Sequence, residues 1–223
     1  MLKADFHIHS HYSPDSGLSP EKMVARCEKV GLNCIAVTDH NTIDGSLAVK
    51  RLAPFQVIIG EEVRSSEGEI TGLFLSETVP RGLTAEETAR RIKEQGGLVS
   101  LPHPFDHFRG GVITRKAMMD VLPYTDIVEV FNARNMLDGD NRKAREFAEE
   151  HELIPSGVSD GHSTVELGRT YVEMPEFDGT PEGFKKSLAE GTIIARRTNR
   201  LIHIVTATTK IRKRVFGGLR PPL

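Results

Sequence analysis

The sequence is poor in cysteine, has no long apolar run and carries almost no net charge, and each of these features argues against a class of protein. Its two cysteines, Cys27 and Cys34, do not form a CxxC pair, so we expect buried thiols in a reducing cytoplasm. No apolar run approaches the roughly 20 residues of a transmembrane helix, and the N-terminus resembles no signal peptide, so we expect no membrane partner. A net charge of −2 gives no general attraction to nucleic acid.

The remaining composition is that of an ordered globular domain. Hydrophobic residues make up 38% and charged residues 27% of the 223 residues, which is enough apolar material for one sizeable core. We expect a single domain over residues 1–200. Residues 201–223 form a C-terminal extension that is basic at 210–214 and contains Gly-Gly and Pro-Pro pairs. The sequence gives no indication of an oligomeric state.

Short apolar runs alternate with amphipathic helical patterns along the chain. Ser19-Pro20 and Gly31 mark the start and end of one helix, and Thr84 begins a second. Further helices are predicted over 140–151 and 180–190. The predicted strands are 3–6, 33–37, 56–59, 70–75, 98–101, 127–131, 154–158 and 169–174. This alternation predicts an α/β fold with βα units around a parallel sheet or barrel.

Histidines and carboxylates follow five of the predicted strands. The strand-end segments are His7-Ile8-His9, Asp39-His40, Glu61-Glu62, His103 and Asp160-Gly161-His162. The carboxyl ends of parallel strands converge on one face, where ligands bind. Imidazole and carboxylate groups gathered there predict a metal site.

Within these segments the pattern leaves two assignments open. His7 and His9 are alternate strand residues, so both can face one ion. Asp39 could bind metal itself, but an Asp beside a ligand His more often orients that His. Either Glu61 or Glu62 could supply a carboxylate that bridges two cations.

Five segments resemble the motifs of the polymerase-and-histidinol-phosphatase (PHP) family, in the family's order, across about residues 4–195. They are Asp5-Phe6-His7-Ile8-His9-Ser10, Val37-Thr38-Asp39-His40, Ile59-Gly60-Glu61-Glu62, Pro102-His103-Pro104 and Ser159-Asp160-Gly161-His162. The resemblance implies a distorted, TIM-like (β/α)7 barrel in a single domain. It also implies a phosphoesterase that uses two or three divalent metal ions. Zinc, manganese and iron are the candidates, because mixed His and carboxylate ligands accept all three.

The resemblance also implies which residues bind the ions. The first metal's ligands would be His7, His9, Glu62 and Asp160; Glu62 would bridge to a second metal held by His103; and Asp15, His40 and His162 would hold a third. Glu62 is preferred over Glu61 because it fits the family's Gly-x-Glu spacing. Some relatives have a His where this chain has Asn132, so the second metal is expected to be held loosely or completed by water or substrate.

The chemistry follows from such ions, which would neutralise a phosphate dianion and lower the pKa of a bound water. Asp160 would be catalytic by holding the metal that activates this water. His40 or His162, if free of metal, could protonate the leaving oxygen. Arg109 and Arg134 follow strand-end segments and are candidates for gripping phosphate, the alternative for each being an ordinary surface arginine.

We therefore predict a cytoplasmic metal-dependent phosphoesterase that acts on a small phosphorylated metabolite, with a nucleotide or nucleoside bisphosphate as one candidate. A histidinol-phosphate phosphatase is the alternative, although the chain is rather short for that role. An exonuclease-type module is a further alternative. We do not expect a nucleic-acid partner, because only residues 210–214 are clearly basic.

Overall fold

The structure, a computed structural model, describes residues 1–198, 206, 208–209 and 211–213. Its strands are β1 (Leu2–Ile8), β2 (Cys34–Val37), β3 (Gln56–Ser65), β4 (Gly68–Leu73), β5 (Leu98–Leu101), β6 (Thr125–Asn132), β7 (Ile154–Val158), β8 (Tyr171–Met174) and β9 (Thr192–Ile194). Its α-helices are α1 (Pro20–Val30), α2 (Asp44–Leu52), α3 (Ala85–Glu94), α4 (Arg115–Val121), α5 (Asp138–Glu150) and α6 (Pro181–Ala189).

The strands form one mixed sheet in the order β7-β6-β5-β4-β3-β2-β1-β8-β9. Strands β1 to β3 are parallel, and so are β5 to β7. Strand β4 runs antiparallel to both of its neighbours. Its direction differs from the parallel sheet that the alternation predicts, because only Ser66 and Glu67 separate β3 from β4. So short a connection permits a hairpin, whereas parallel neighbours need a long crossover.

The sheet closes almost into a barrel where the segment after β7 meets the end of β1. Gly161 N donates to His7 O at 3.2 Å, and His9 N donates to Gly161 O at 2.8 Å. A Cβ at Gly161 would lie 2.7 Å from the side chain of Leu167, which would have to shift to accept any larger residue here. The distorted barrel expected from the sequence is confirmed, with β8 and β9 as an antiparallel addition beyond β1.

Most predicted helix ends lie where the sequence places them. Ser19 Oγ accepts a hydrogen bond from Lys22 N, and Gly31 ends α1 with a φ of 75°. Thr84 and Thr180 cap α3 and α6 in the same way as Ser19 caps α1. Sequence analysis missed α2, α4 and β9. Helix α2 follows Ile43, which has no side chain able to cap it, and β9 has only three residues.

The core lies inside the barrel and between the sheet and its helices. Ala4, Phe6 and Ala36 belong to one buried cluster that also includes Phe184 of α6. Cys27 and Cys34 are free and buried, and burial raises the pKa of both thiols to about 12.

No helix among the described residues is long and apolar enough to cross a bilayer. The predicted C-terminal extension lies outside the described residues except at 206, 208–209 and 211–213, which are helical.

Candidate metal centre

Four buried ligand atoms converge at the end of β1, within β3 and just after β7. His7 Nε2 and His9 Nε2 are 2.9 Å apart. Glu62 Oε2 lies 3.5 and 3.4 Å from these two nitrogens, and Asp160 Oδ1 lies 3.7 and 3.5 Å from them. Ligands bound at about 2.0–2.2 Å to a tetrahedral ion are about 3.4 Å apart, so this spacing suits one shared cation.

One carboxylate oxygen of each acid in this first group is buried without a hydrogen-bond partner in the described part of the chain. Glu62 Oε2 and Asp160 Oδ1 are buried and accept no hydrogen bond from the described residues. Burial raises the pKa of both acids, but His7 and His40 at Glu62, and Arg109 and His7 at Asp160, hold both values well below the ordinary range. Two ionised oxygens without hydrogen bonds are costly in a protein interior, and a cation among them removes that cost. The residues therefore fit a metal ion.

A second group forms around the other oxygen of Glu62. Glu62 Oε1 lies 3.0 Å from His103 Nε2, and His7 completes the group. Pro102 and Pro104 flank His103, which has a φ of 32° in the strained left-handed region. Because its two oxygens face different histidines, Glu62 is placed to bridge two cations.

A third group consists of His9, Asp15, His40 and His162. Asp15 Oδ2 lies 3.3 Å from His40 Nε2, and Asp15 Oδ1 lies 3.4 Å from His162 Nε2. Burial raises the pKa of Asp15, but these two histidines outweigh it and lower the value. Burial likewise opposes protonation of His40, yet Glu62 and Asp15 raise its pKa to about 9. The structure thus brings all eight predicted ligand residues together, while their metal-binding roles stay a prediction.

Two acidic residues of the same motifs face away from the three groups. Asp39 Oδ1 accepts hydrogen bonds from Ser10 N at 2.7 Å and Ser13 Oγ at 2.6 Å. Ser13 Oγ also lies 3.0 Å from His9 Nδ1, so Asp39 orients a candidate ligand indirectly. Glu61 points to the opposite side of β3, where its Oε2 accepts from Val79 N at 2.9 Å. Burial raises the pKa of Glu61 to about 7.

Glu129 is a site residue that sequence analysis missed. Its Oε1 lies 2.6 Å from His7 Nδ1, and its Oε2 accepts from His103 N at 2.9 Å. Asn132 Nδ2 donates to Glu129 Oε2 and, at 3.1 Å, to Asp160 Oδ2. The Asn132 amide is therefore engaged with two carboxylates. An acidic residue inside the apolar run 127–131 was the available signal, since a buried carboxylate needs partners.

Glu69 on β4 is a second missed residue. Its Oε2 lies 3.9 Å from His103 Nε2, and its Oε1 accepts from Arg64 Nη1 at 3.1 Å. A Cβ at Gly111 would lie 1.9 Å from Glu69 Oε2, so the glycine leaves room for the carboxylate. The sequence gave little signal for Glu69, because its place depends on the β3–β4 hairpin and on a distant loop.

Both candidate phosphate-binding arginines lie at the site rather than on an open surface. Arg109 Nη2 is 2.6 Å from Asp160 Oδ2, and 21% of its side chain is exposed. The Arg134 side chain is only 3% exposed; it contacts His162 Nδ1 and donates to Asp160 O at 3.4 Å. Neither residue is therefore an ordinary solvent-exposed surface arginine.

A cleft of about 730 Å³ opens above the third group. Its lining includes Asp15, His40, His162, Arg64, Glu69, Phe108, Arg109, Arg134 and Thr206. Phe108 belongs to this lining although 65% of its surface is exposed. The cleft therefore combines metal-type ligands, three arginines and one accessible aromatic ring.

Comparison with known proteins agrees with this geometry. The PHP domain matches residues 5–151, and a PHP-associated region matches residues 138–193. An uncharacterized protein of Methanocaldococcus jannaschii is 43% identical over 145 residues, which cover 59% of this chain and 82% of the relative. A second uncharacterized protein from that organism is 35% identical over 182 residues, which cover 79% of this chain and 72% of the relative. A 5′-3′ exoribonuclease of Haemophilus influenzae is 33% identical over 101 residues, which cover 42% of this chain and 36% of the exoribonuclease.

Solved structures show the same fold at low sequence identity. A two-domain protein of Bacteroides vulgatus, described as containing a predicted PHP-like metal-dependent phosphoesterase, has a TM-score of 0.72 and 20% identity. The similarity covers 87% of this chain and 65% of that protein. A lesion-specific endonuclease from Pyrococcus furiosus has a TM-score of 0.61 and 19% identity. The similarity covers 86% of this chain and 57% of the endonuclease. The PHP domain match spans residues 5–151 and includes every predicted ligand except Asp160 and His162, so the chain belongs to the PHP domain family.

Proposed function

We propose that this metal-dependent phosphoesterase of the PHP family hydrolyses a small phosphorylated metabolite, with a nucleotide or nucleoside bisphosphate as the favoured class. One observation carries the proposal. The unpartnered oxygens of Glu62 and Asp160 converge with the histidine nitrogens beside a cleft that arginines line. A cytoplasmic location remains a prediction from the sequence.

Two or three divalent ions, of zinc, manganese or iron, fit the three ligand groups. When bound, such ions supply charge neutralisation at phosphate and a water of lowered pKa. The chain's own part is to hold Asp160 ionised, with its Oδ2 fixed by Arg109. His40 and His162 line the cleft, so either could give a proton to the leaving oxygen when it does not bind metal.

The cleft lining favours a nucleotide over a simple sugar phosphate. Arg109 and Arg134 both contact Asp160, and Arg64 contacts Glu69. Arginines at two places suit a substrate with two phosphate groups. Phe108 presents an accessible ring on which a nucleobase could stack, a contact worth about 1–3 kcal/mol per base in single-strand binding proteins.

A screen of phosphorylated metabolites with manganese-, zinc- or iron-loaded protein tests the proposal. We expect nucleoside bisphosphates to give the highest kcat/KM, above nucleoside monophosphates and sugar phosphates. Phe108→Ala should raise KM for the nucleotide substrate while leaving turnover of a simple alkyl phosphate, which has no ring to stack, unchanged. Failure to hydrolyse any phosphate ester with any of the three metals would overturn the proposal.

The identity to the Haemophilus influenzae exoribonuclease supports a second candidate, removal of nucleotides from an RNA end. Including a short 5′-phosphorylated oligoribonucleotide in the same screen separates the two. Faster turnover of the oligonucleotide than of any mononucleotide would favour the exonuclease. Histidinol phosphate belongs in the screen as the remaining alternative, and a clear preference for it would displace both nucleotide proposals.

A further inference from the structure

Two of the described residues of the C-terminal segment, Thr206 and Lys213, contact the site. Thr206 Oγ1 accepts a hydrogen bond from Arg134 Nη2 at 2.5 Å and lines the cleft. Lys213 Nζ donates to His11 O and Ser13 O, each at 2.6 Å. These contacts tie Thr206 to the segment after β6 and Lys213 to the loop after β1.

The loop that Lys213 holds carries Asp15 and contacts two further members of the third ligand group, His9 and His40. Ser13 Oγ lies 3.0 Å from His9 Nδ1 and accepts from His40 N at 3.1 Å. Asp15 follows two residues later. Fixing the carbonyl of Ser13 therefore restricts the loop that orients His9, His40 and Asp15.

The fourth member of that group is reached through Thr206. Arg134 contacts His162 Nδ1, and the hydrogen bond from its Nη2 to Thr206 helps to fix the guanidinium in the cleft. A guanidinium that is held in place needs less ordering when it binds a phosphate. Lys213 and Thr206 thus contact the residues that help to orient the four side chains of the third group.

We infer that the C-terminal segment is part of the active site, and that Lys213 and Thr206 are positioning residues for the third metal and for Arg134. This inference rests on the proposed function. Lys213 acts on the affinity of the third metal, since it restrains the loop that carries Asp15. Thr206 acts on substrate affinity, because it restrains the arginine assigned to phosphate.

A segment that merely packed against the barrel would affect stability alone, whereas a positioning segment changes metal affinity and KM. The test compares Lys213→Met and Thr206→Val with Arg212→Met, a neighbouring exposed residue, in the full chain. Metal titration of metal-free protein, KM and kcat for a phosphate ester, and the melting temperature are measured for each.

We expect Lys213→Met to weaken the binding of one metal equivalent by about tenfold to a hundredfold, the usual effect of losing a group that orients metal ligands. The other equivalents should be weakened less, and Lys213→Arg should restore most of the lost affinity because it keeps a cationic donor. Thr206→Val should raise KM several-fold with a smaller change in kcat. Arg212→Met should match the natural protein throughout.

The inference is overturned if Lys213→Met and Thr206→Val match Arg212→Met in metal affinity and KM, including when they only lower the melting temperature. Should Lys213→Met fail to fold, Lys213→Ala replaces it with the same expected loss of metal affinity, and Thr206→Val tests the arginine by KM. A natural protein that binds no metal would instead defeat the proposed function itself. The two failures are therefore distinguishable.

Discussion

At the scale of single residues, the alternation of β3 decides which of two adjacent glutamates can serve the metal centre. Glu62 points to His7, His9 and His103, whereas Glu61 accepts a hydrogen bond from Val79 N on the other side. We predict that Glu62→Gln loses most of the bound metal, because it removes the only charge at a bridging position. Glu61→Gln is the matched control and should keep its metal. Elemental analysis of both proteins checks this, and equal metal content in the two would contradict the bridging role.

Asp160 joins two networks, since one oxygen faces the first group and the other faces Arg109. Its φ of 52° lies in the left-handed region, which an Asn also tolerates. Asp160→Asn should therefore keep the fold while removing most hydrolysis, because the neutral amide is a poor substitute for a carboxylate ligand. Circular dichroism beside turnover of an aryl phosphate measures both effects. Unchanged turnover across several loaded metals would count against the assignment.

Arg109 and Arg134 are expected to grip the substrate's phosphate. Replacing either by Ala removes a charge-assisted contact worth about 1.5–3 kcal/mol. That loss corresponds to a drop in kcat/KM of roughly tenfold to more than a hundredfold. Lysine should rescue poorly, because it cannot reproduce the two-pronged geometry. If neither Ala variant loses efficiency on the same ester, both arginines are misassigned.

At the scale of elements, strand β6 supplies a support that links two ligand histidines. Glu129 contacts His7 through one oxygen and the main chain of His103 through the other. We predict that Glu129→Gln weakens metal binding about tenfold to a hundredfold, since the neutral amide orients His7 less firmly. Glu173→Gln on β8, where the side chain is exposed, is the control. Metal titration should separate the two variants, and identical affinities would remove Glu129 from the site.

The position of each site residue on its strand decides whether the sequence could predict it. His7, His103 and Asp160 follow apolar runs, so strand ends alone were enough to gather them. Glu69 was out of reach, because it enters the site through the reversal of β4 and through the space left by Gly111, some 40 residues away. Glu129 was missed for another reason: it lies within a strand, and only its contacts distinguish it from an ordinary buried acid.

At the scale of the whole molecule, three ligand groups share residues and are enclosed by strands from both halves of the sheet. His9 belongs to the first and third groups, and Glu62 to the first and second, so binding of one ion should influence the next. The barrel closes where the main chain of Gly161 pairs with that of His7 and His9. Bound metal should therefore stabilise the closed barrel, since a ligand that binds only the folded chain raises its stability.

The central claim is that this barrel binds a cluster of metal ions, and metal stoichiometry tests it most directly. Metal-free protein is loaded with manganese, zinc or iron, freed of excess ion, and its bound metal is measured by elemental analysis against protein concentration. The account predicts more than one ion per chain with at least one of these metals. One ion or none with every metal, in protein that remains folded, would contradict it.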